Sequence, residues 1–193
     1  MPSNAYRRWA ATRKKALDEI TQAHAAVGGT KRGRRHATQQ INHAYALLLA
    51  SQFQGFCRDL HSECVDHLVA TIAPPPSLVA IVRRQFSEAR QLDRGNAQPG
   101  SIGADFDRLG IRLWYEAGRH DPDAGAWRVL LEELNTWRNA IAHQDFNPPS
   151  IAGRTSLQLK RVKQWRSACD RLARAFDKMM RRHLEALTGT SPW

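Results

Sequence analysis

At 193 residues, 42% apolar and 24% charged, the chain has the size and composition of one globular domain that buries a core without disulfide or metal staples. Its formal charge of +11 rests on 23 arginines against six lysines, and arginine is the side chain that grips phosphate in a planar fork; a GC-rich coding genome would produce part of the same bias. No apolar run approaches the roughly 20 residues of a membrane span, and the opening Tyr6-Arg7-Arg8-Trp9 leads into charge, so neither a membrane protein nor a secretory leader is expected.

The charge is uneven. Residues 1–36 carry +7, residues 153–187 carry +7, and the span between them carries −3. Two basic ends around a mildly acidic middle favour association with polyanions and say nothing about fold. The three cysteines, Cys57, Cys64 and Cys169, all fall inside helical patterns, which suits reduced thiols and a cytoplasmic location.

In chain order the signals are helical. Tyr6, Trp9, Ala16, Ile20 and Val27 recur at helical spacing and stop at Gly28-Gly29, ahead of the basic loop "GGTKRGRR". A long helix from about Ala37 to Ile72 carries Leu49, Phe53, Phe56, Leu60 and Cys64 on one stripe, and "PPP" at 74–76 ends it. Ser77 reads as the N-cap of a helix reaching Leu92. The stretch "DRGNAQPGS" reads as a loop, and a weaker helix spans Asp105 to Ala117 before "RHDPDAG". Trp127, Leu130, Leu131, Leu134, Trp137 and Ile141 mark the next helix, closed by "NPP" at 147–149. Val162, Trp165, Cys169, Leu172, Phe176 and Met179 then form a heptad-like seam on a helix of about 30 residues. The expected fold is all-α, an irregular up-down bundle of about six helices. The whole chain, 1–193, forms one domain: a basic N-terminal helix within 1–36 packs on a core of 37–187, and a short tail follows at 188–193.

Three groups of residues invite a chemical reading. Cys57, His61, Cys64 and His67 have metal-like spacing, but one straight helix presents two ligands to an ion, not a closed set of four, and the stripe they share reads as core; no metal or other cofactor is expected. The basic C-terminal helix, with Arg166 and Arg174, and the basic loop, with Arg34 and Arg35, are candidates for RNA contact through phosphates. The plainer alternative is a solvated outer face.

The third group is "TWRNAIAHQDFNPP", Thr136 to Pro149. The spacing Arg-x4-His alone is weak, since 23 arginines and eight histidines in 193 positions give it about once by chance. Asn139, the helix-breaking "DFNPP" and the apolar opposite face add to it. Asn139 and His143 are i,i+4 neighbours, whereas Arg138 stands about 140° from His143 on an ideal helix. Arg138 also falls within the apolar stripe of its helix, where an arginine needs a partner or an interface. The trio suits cleavage of RNA through its own 2′-OH. A neutral His moves the proton of the 2′-OH or of the leaving 5′-oxygen, Arg neutralises phosphoryl charge, and Asn orients. One His per chain supplies an acid or a base but not both, so a symmetric homodimer is the economical arrangement. The alternative is that Arg138 and Asn139 bridge at a helix end while His143 is an exposed terminal residue.

The segment "RNAIAH" in a basic, all-helical chain resembles the Arg-x4–6-His signature of the HEPN superfamily, and "YALLLASQFQGFCRDLHSEC" resembles the long second helix of its RiboL-PSP-HEPN branch. The resemblance covers roughly residues 37–187. It implies a dimerising helical bundle whose paired motifs form a metal-independent endoribonuclease site, with Arg138, Asn139 and His143 as its residues. It also implies a possible role as a toxin or defence effector, with a nucleotidyltransferase antitoxin as partner. Two positions depart from the pattern: Gln54 stands where relatives of this branch often have an acidic residue, and Asp145 stands where some toxin members have Tyr. A non-catalytic module of the same fold, binding RNA, nucleotide or protein, is the main alternative reading. A helical DNA-binding regulator is weaker, because no helix-turn-helix segment is apparent.

Overall fold

The computed structural model describes residues 1–28, 35–147, 149 and 151–193, and at Gly28, Arg35 and His36 the backbone alone. Among these residues the chain is helical with no strand. A first helical run, α1 (Asn4–Arg8) and α2 (Lys14–Gly28), is continuous through a π-helical turn at Trp9–Arg13. It is followed by the long α3 (Arg35–Ile72), then α4 (Val79–Ser87), α5 (Gln91–Arg94), α6 (Pro99–Asp107) and α7 (Leu113–His120). The chain closes with α8 (Ala124–His143) and α9 (Leu159–Thr188).

Four long segments form the frame. Arg13 bonds Gln52 and Asp59 while Asn4 bonds Glu63, so α1–α2 runs antiparallel to α3. Arg161 and Arg171 of α9 meet Glu133 and Trp127 of α8, which makes that pair antiparallel as well. Arg166 reaches Tyr45 and His67 reaches Thr188, so α3 and α9 are parallel. The result is an up-down-up-down bundle with α4 to α7 inserted between its second and third members.

The apolar stripes set this packing. Leu49, Phe53, Phe56, Leu60 and Cys64 of α3 and Val162, Trp165, Cys169, Leu172 and Phe176 of α9 are all fully buried. Trp9, Phe53, Phe56, Phe106, Trp114 and Phe176 link through edge-to-face and tilted ring contacts at 5.4–6.4 Å, geometries that aromatic quadrupoles favour. The N-terminus is clamped electrostatically. Ser3 Oγ accepts from the Tyr6 N–H, the Ser3 N–H donates to Asp177, and Glu63 accepts from the Asn4 and Ala5 N–H groups. Carboxylates at the positive end of a helix are stabilising. Among the described residues no helix is long and apolar enough to cross a membrane.

The structure corrects several expectations. In the first helix Leu17, not Ala16, is fully buried with Trp9. The π-turn between them inserts one residue, so the core face advances from seven residues after Trp9 to eight. Ser77 caps nothing: it lies in a 3-10 turn at Pro76–Leu78, and α4 begins after it without a side-chain cap. The expected helix to Leu92 breaks where Ala89 takes φ 57°, separating α4 from α5. The expected loop "DRGNAQPGS" contains the start of α6, with Pro99 at its first position. The expected helix from Asp105 divides at Gly110, φ 79°, into α6 and α7. These divisions add short helices, among the described residues, to an all-α bundle expected to have about six.

Candidate functional site at the end of α8

α8 ends three residues before "NPP". The Asp145 N–H reaches the Ala140 carbonyl at 3.0 Å and Gln144, at φ 54°, turns the chain in the left-handed region. This is a Schellman closure, which makes His143 the last helical residue. His143 is exposed and has no hydrogen bond or ion pair among the described residues, while Arg138 and Asn139, one turn earlier, are half-buried.

Arg138 Nη1 donates to Asn139 Oδ1 at 3.2 Å, and Asn96 Nδ2 donates to the same oxygen. The amide oxygen is thus occupied twice, so within one chain Asn139 orients Arg138 and not His143. Among the described residues six arginines are half-buried: 13, 90, 138, 161, 166 and 181. Four of them pair with carboxylates, namely Arg13 with Asp59, Arg90 with Asp93, Arg161 with Glu133 and Arg166 with Asp18. Arg138 and Arg181 have no carboxylate at ion-pair distance among the described residues. A half-buried cation held by a neutral amide keeps its charge for an anion.

A ring of backbone anchors sets this geometry. Gln54 of α3 donates both amide hydrogens, to the Leu92 carbonyl at 2.8 Å and the Gly95 carbonyl at 2.6 Å. Asn135 of α8 donates to the Ala97 carbonyl at 3.0 Å. Buried Asp105 accepts from the Gln91 and Leu92 N–H groups, both at 2.8 Å. Asp105 thus pins α5, while the 95–98 loop is tied to α3 and α8 by the two amides and to α6 by the Ile102 N–H on the Gln98 carbonyl at 3.0 Å, and it delivers Asn96 to Asn139. Asn96, Asn135 and Asp105 were not singled out from sequence, and Gln54 was noted only as a departure from an acidic position of the resembled branch; the i,i+4 pair Asn135 and Asn139 was a further available signal.

Other sequence candidates are placed as follows. Arg166 is engaged by the Tyr45 hydroxyl at 3.0 Å and by Asp18 at 2.6 Å, so it is a structural bridge between helices. Arg174 is exposed on α9, with a long contact of 3.4 Å to the Tyr6 hydroxyl. Arg34 lies outside the described residues, and Arg35 opens α3 with its side chain likewise outside them. His61 is buried with Nε2 on the Asp105 carbonyl at 3.1 Å, and burial together with the Arg90 charge lowers its pKa to about 4. His67 turns to Thr188 at 3.0 Å. Burial pushes the thiols of Cys57, Cys64 and Cys169 up, away from the reactive thiolate. Comparison of the chain with family models, with curated proteins and with solved structures finds no match.

Proposed function

We propose that the chain is a HEPN-like endoribonuclease that cleaves RNA by attack of its own 2′-OH at a site shared between two copies. One observation carries the reading: Arg138 is a half-buried cation paired with an amide instead of a carboxylate, one turn before an exposed histidine. Arg138 would hold a non-bridging phosphoryl oxygen as charge develops there. His143 of one copy would take the 2′-OH proton as the 2′-oxygen bonds to phosphorus. His143 of the other copy would protonate the 5′-oxygen as its bond to phosphorus breaks, leaving a 2′,3′-cyclic phosphate and a 5′-hydroxyl. Asn139 holds the guanidinium in place, and its Nδ2 remains as a donor for the phosphate.

The experiment is cleavage of single-stranded RNA in EDTA by wild type, His143→Ala and Arg138→Ala, with the mass of the protein measured in the same buffer. Loss of a general acid–base is expected to slow cleavage about 10²-fold or more. Intact RNA with wild type, equal cleavage by His143→Ala, or a strict monomer that still cleaves would each sink the shared-site mechanism. A second reading, a non-catalytic ligand-binding module of the same fold, is favoured by His143 having no hydrogen-bond partner among the described residues to fix its tautomer. It predicts RNA binding that requires Arg138 without any cleavage. A role as a toxin partnered by a nucleotidyltransferase would follow from growth arrest that the partner relieves and that His143→Ala abolishes.

A further inference from the structure

A second cationic surface lies at the opposite end of α8. Arg171, Arg174, Lys178 and Arg182 follow one another at spacings of three and four, so they form a single stripe about 16 Å long on α9. They line one wall of an open cleft of 580 Å³ whose other walls come from α7 and the start of α8. Arg171 lies over the Trp127 ring at 5.5 Å. The cleft runs on, through the shared residues His120, Met179 and Arg182, into a smaller depression that holds Arg112, just before α7, and Tyr115 of α7.

Tyr115 is 56% exposed, the guanidinium of Arg112 is 5.3 Å from its ring and that of Arg119 is 5.9 Å away. Both guanidinium groups lie over this exposed ring, so it becomes a stacking platform beside a charged track when an arginine turns from the ring to a phosphate and a base takes its place. The acids that border the cleft are engaged elsewhere. Asp170 pairs with Lys14 at 3.0 Å and accepts from Trp9 Nε1 at 3.0 Å. Asp121 accepts from the Asp123 N–H at 2.9 Å, and Glu116 contacts Arg119 at 3.7 Å. None of the four α9 cations has a carboxylate at ion-pair distance among the described residues.

We infer that this α7–α9 groove binds a single strand of RNA, its phosphates along the α9 stripe and a base stacked on Tyr115. A continuous row of cations beside an exposed aromatic is the pattern that serves single strands, because every base has a stacking face and the backbone follows the charge. A duplex would keep its bases from Tyr115. Trp127 and His143 are 16 residues apart on one helix, about 24 Å, so the groove is distinct from the Arg138 site and does not rest on catalysis there.

The test is anisotropy of a labelled oligouridine with His143→Ala protein, so that binding is read without cleavage. Tyr115→Ala is expected to weaken binding about tenfold, and Tyr115→Phe to leave it within about twofold, since the ring is retained. Lys178→Glu with Arg182→Glu is expected to weaken it by more than about tenfold and to flatten a log–log salt slope of about −3, the value for four phosphates on a single strand. Lys15→Glu with Lys160→Glu removes the same charge outside the groove and should leave affinity nearly unchanged. The inference is overturned if this control weakens binding as much as the groove pair does, if Tyr115→Ala has no effect, if duplex RNA binds as tightly as the single strand, or if no RNA binds. Failure of cleavage by the wild type would leave these binding results standing, so the two readings fail separately.

Discussion

Gln54→Glu exchanges one nitrogen for one oxygen and leaves shape almost unchanged, yet it should be costly. Gln54 Nε2 has two hydrogens, and both are used on the carbonyls of Leu92 and Gly95, at 2.8 and 2.6 Å. A carboxylate has no hydrogen to give. The exchange therefore removes two bonds worth about 1 kcal/mol each and sets a negative charge against two carbonyl oxygens. Because the Gly95 bond is solvent-exposed, water relieves part of the repulsion, and the total is about 2–3 kcal/mol. For a chain of this size that lowers Tm by about 5–10 °C. Urea unfolding followed by far-UV circular dichroism measures the cost. The pH dependence identifies its origin. The apposed carbonyls raise the pKa of the new carboxyl in the folded state above its unfolded value, about 4.3. The penalty is therefore full at neutral pH and shrinks as pH falls through the raised folded value, because the protonated acid regains one donor. A variant within about 0.5 kcal/mol of wild type at pH 7, or one whose deficit does not change with pH, would refute the role given to Gln54.

Two further outcomes follow from single residues of α3. His61 has a pKa lowered to about 4 in the fold and an ordinary value near 6.5 when unfolded, so the unfolded chain binds more protons in that window. Stability is lost as pH falls from about 6.5 to about 4, by about 3 kcal/mol from this group; His61→Gln should lose correspondingly less between pH 7 and pH 4 in parallel urea titrations. Gly55 sits under Arg13, and a Cβ there would lie 2.5 Å from Arg13 Nη1. Gly55→Ala should therefore displace Arg13 from Gln52 and Asp59 and destabilise the protein. In an Arg13→Ala background the same change should stabilise it by up to about 1 kcal/mol, the helix-propensity difference; the same sign in both backgrounds would count against the contact.

The frame of the fold was legible because long apolar stripes are redundant. Losing one match among Leu49, Phe53, Phe56, Leu60 and Cys64 would not hide a helix, and the same holds for the α9 seam. What failed was local and rested on single residues. Ala16 and Leu17 are both apolar neighbours, so composition does not distinguish them; a π-turn does, and its register shift has no sequence signature as plain as a proline. The 93–101 stretch reads as a loop because Gly95, Pro99 and Gly100 are loop residues by composition. Its order, and that of Leu92 just before it, comes from Gln54, Asn135 and Asp105 satisfying backbone groups from distant or adjoining elements. Such anchors are invisible to periodicity because each is a single polar side chain inside an otherwise ordinary helix.

The same limit applies to the Arg138 site. Sequence placed Arg138 in the apolar stripe and asked what partner such an arginine has. The answer is an amide on its own helix, fixed by an asparagine from a loop 43 residues earlier in the chain. That arrangement reverses the weight of the trio. His143 follows from helix spacing and can be exposed on any helix end, but a half-buried guanidinium without a carboxylate must be stabilised by something with negative charge or by water. Among the described residues four of its five half-buried counterparts have their carboxylates, so an unpaired guanidinium is the exception at this degree of burial, whatever holds for the exposed cations of α9. Arg138 is therefore the residue whose loss should matter first to any anion bound at this end of α8, whether or not His143 goes on to cut it.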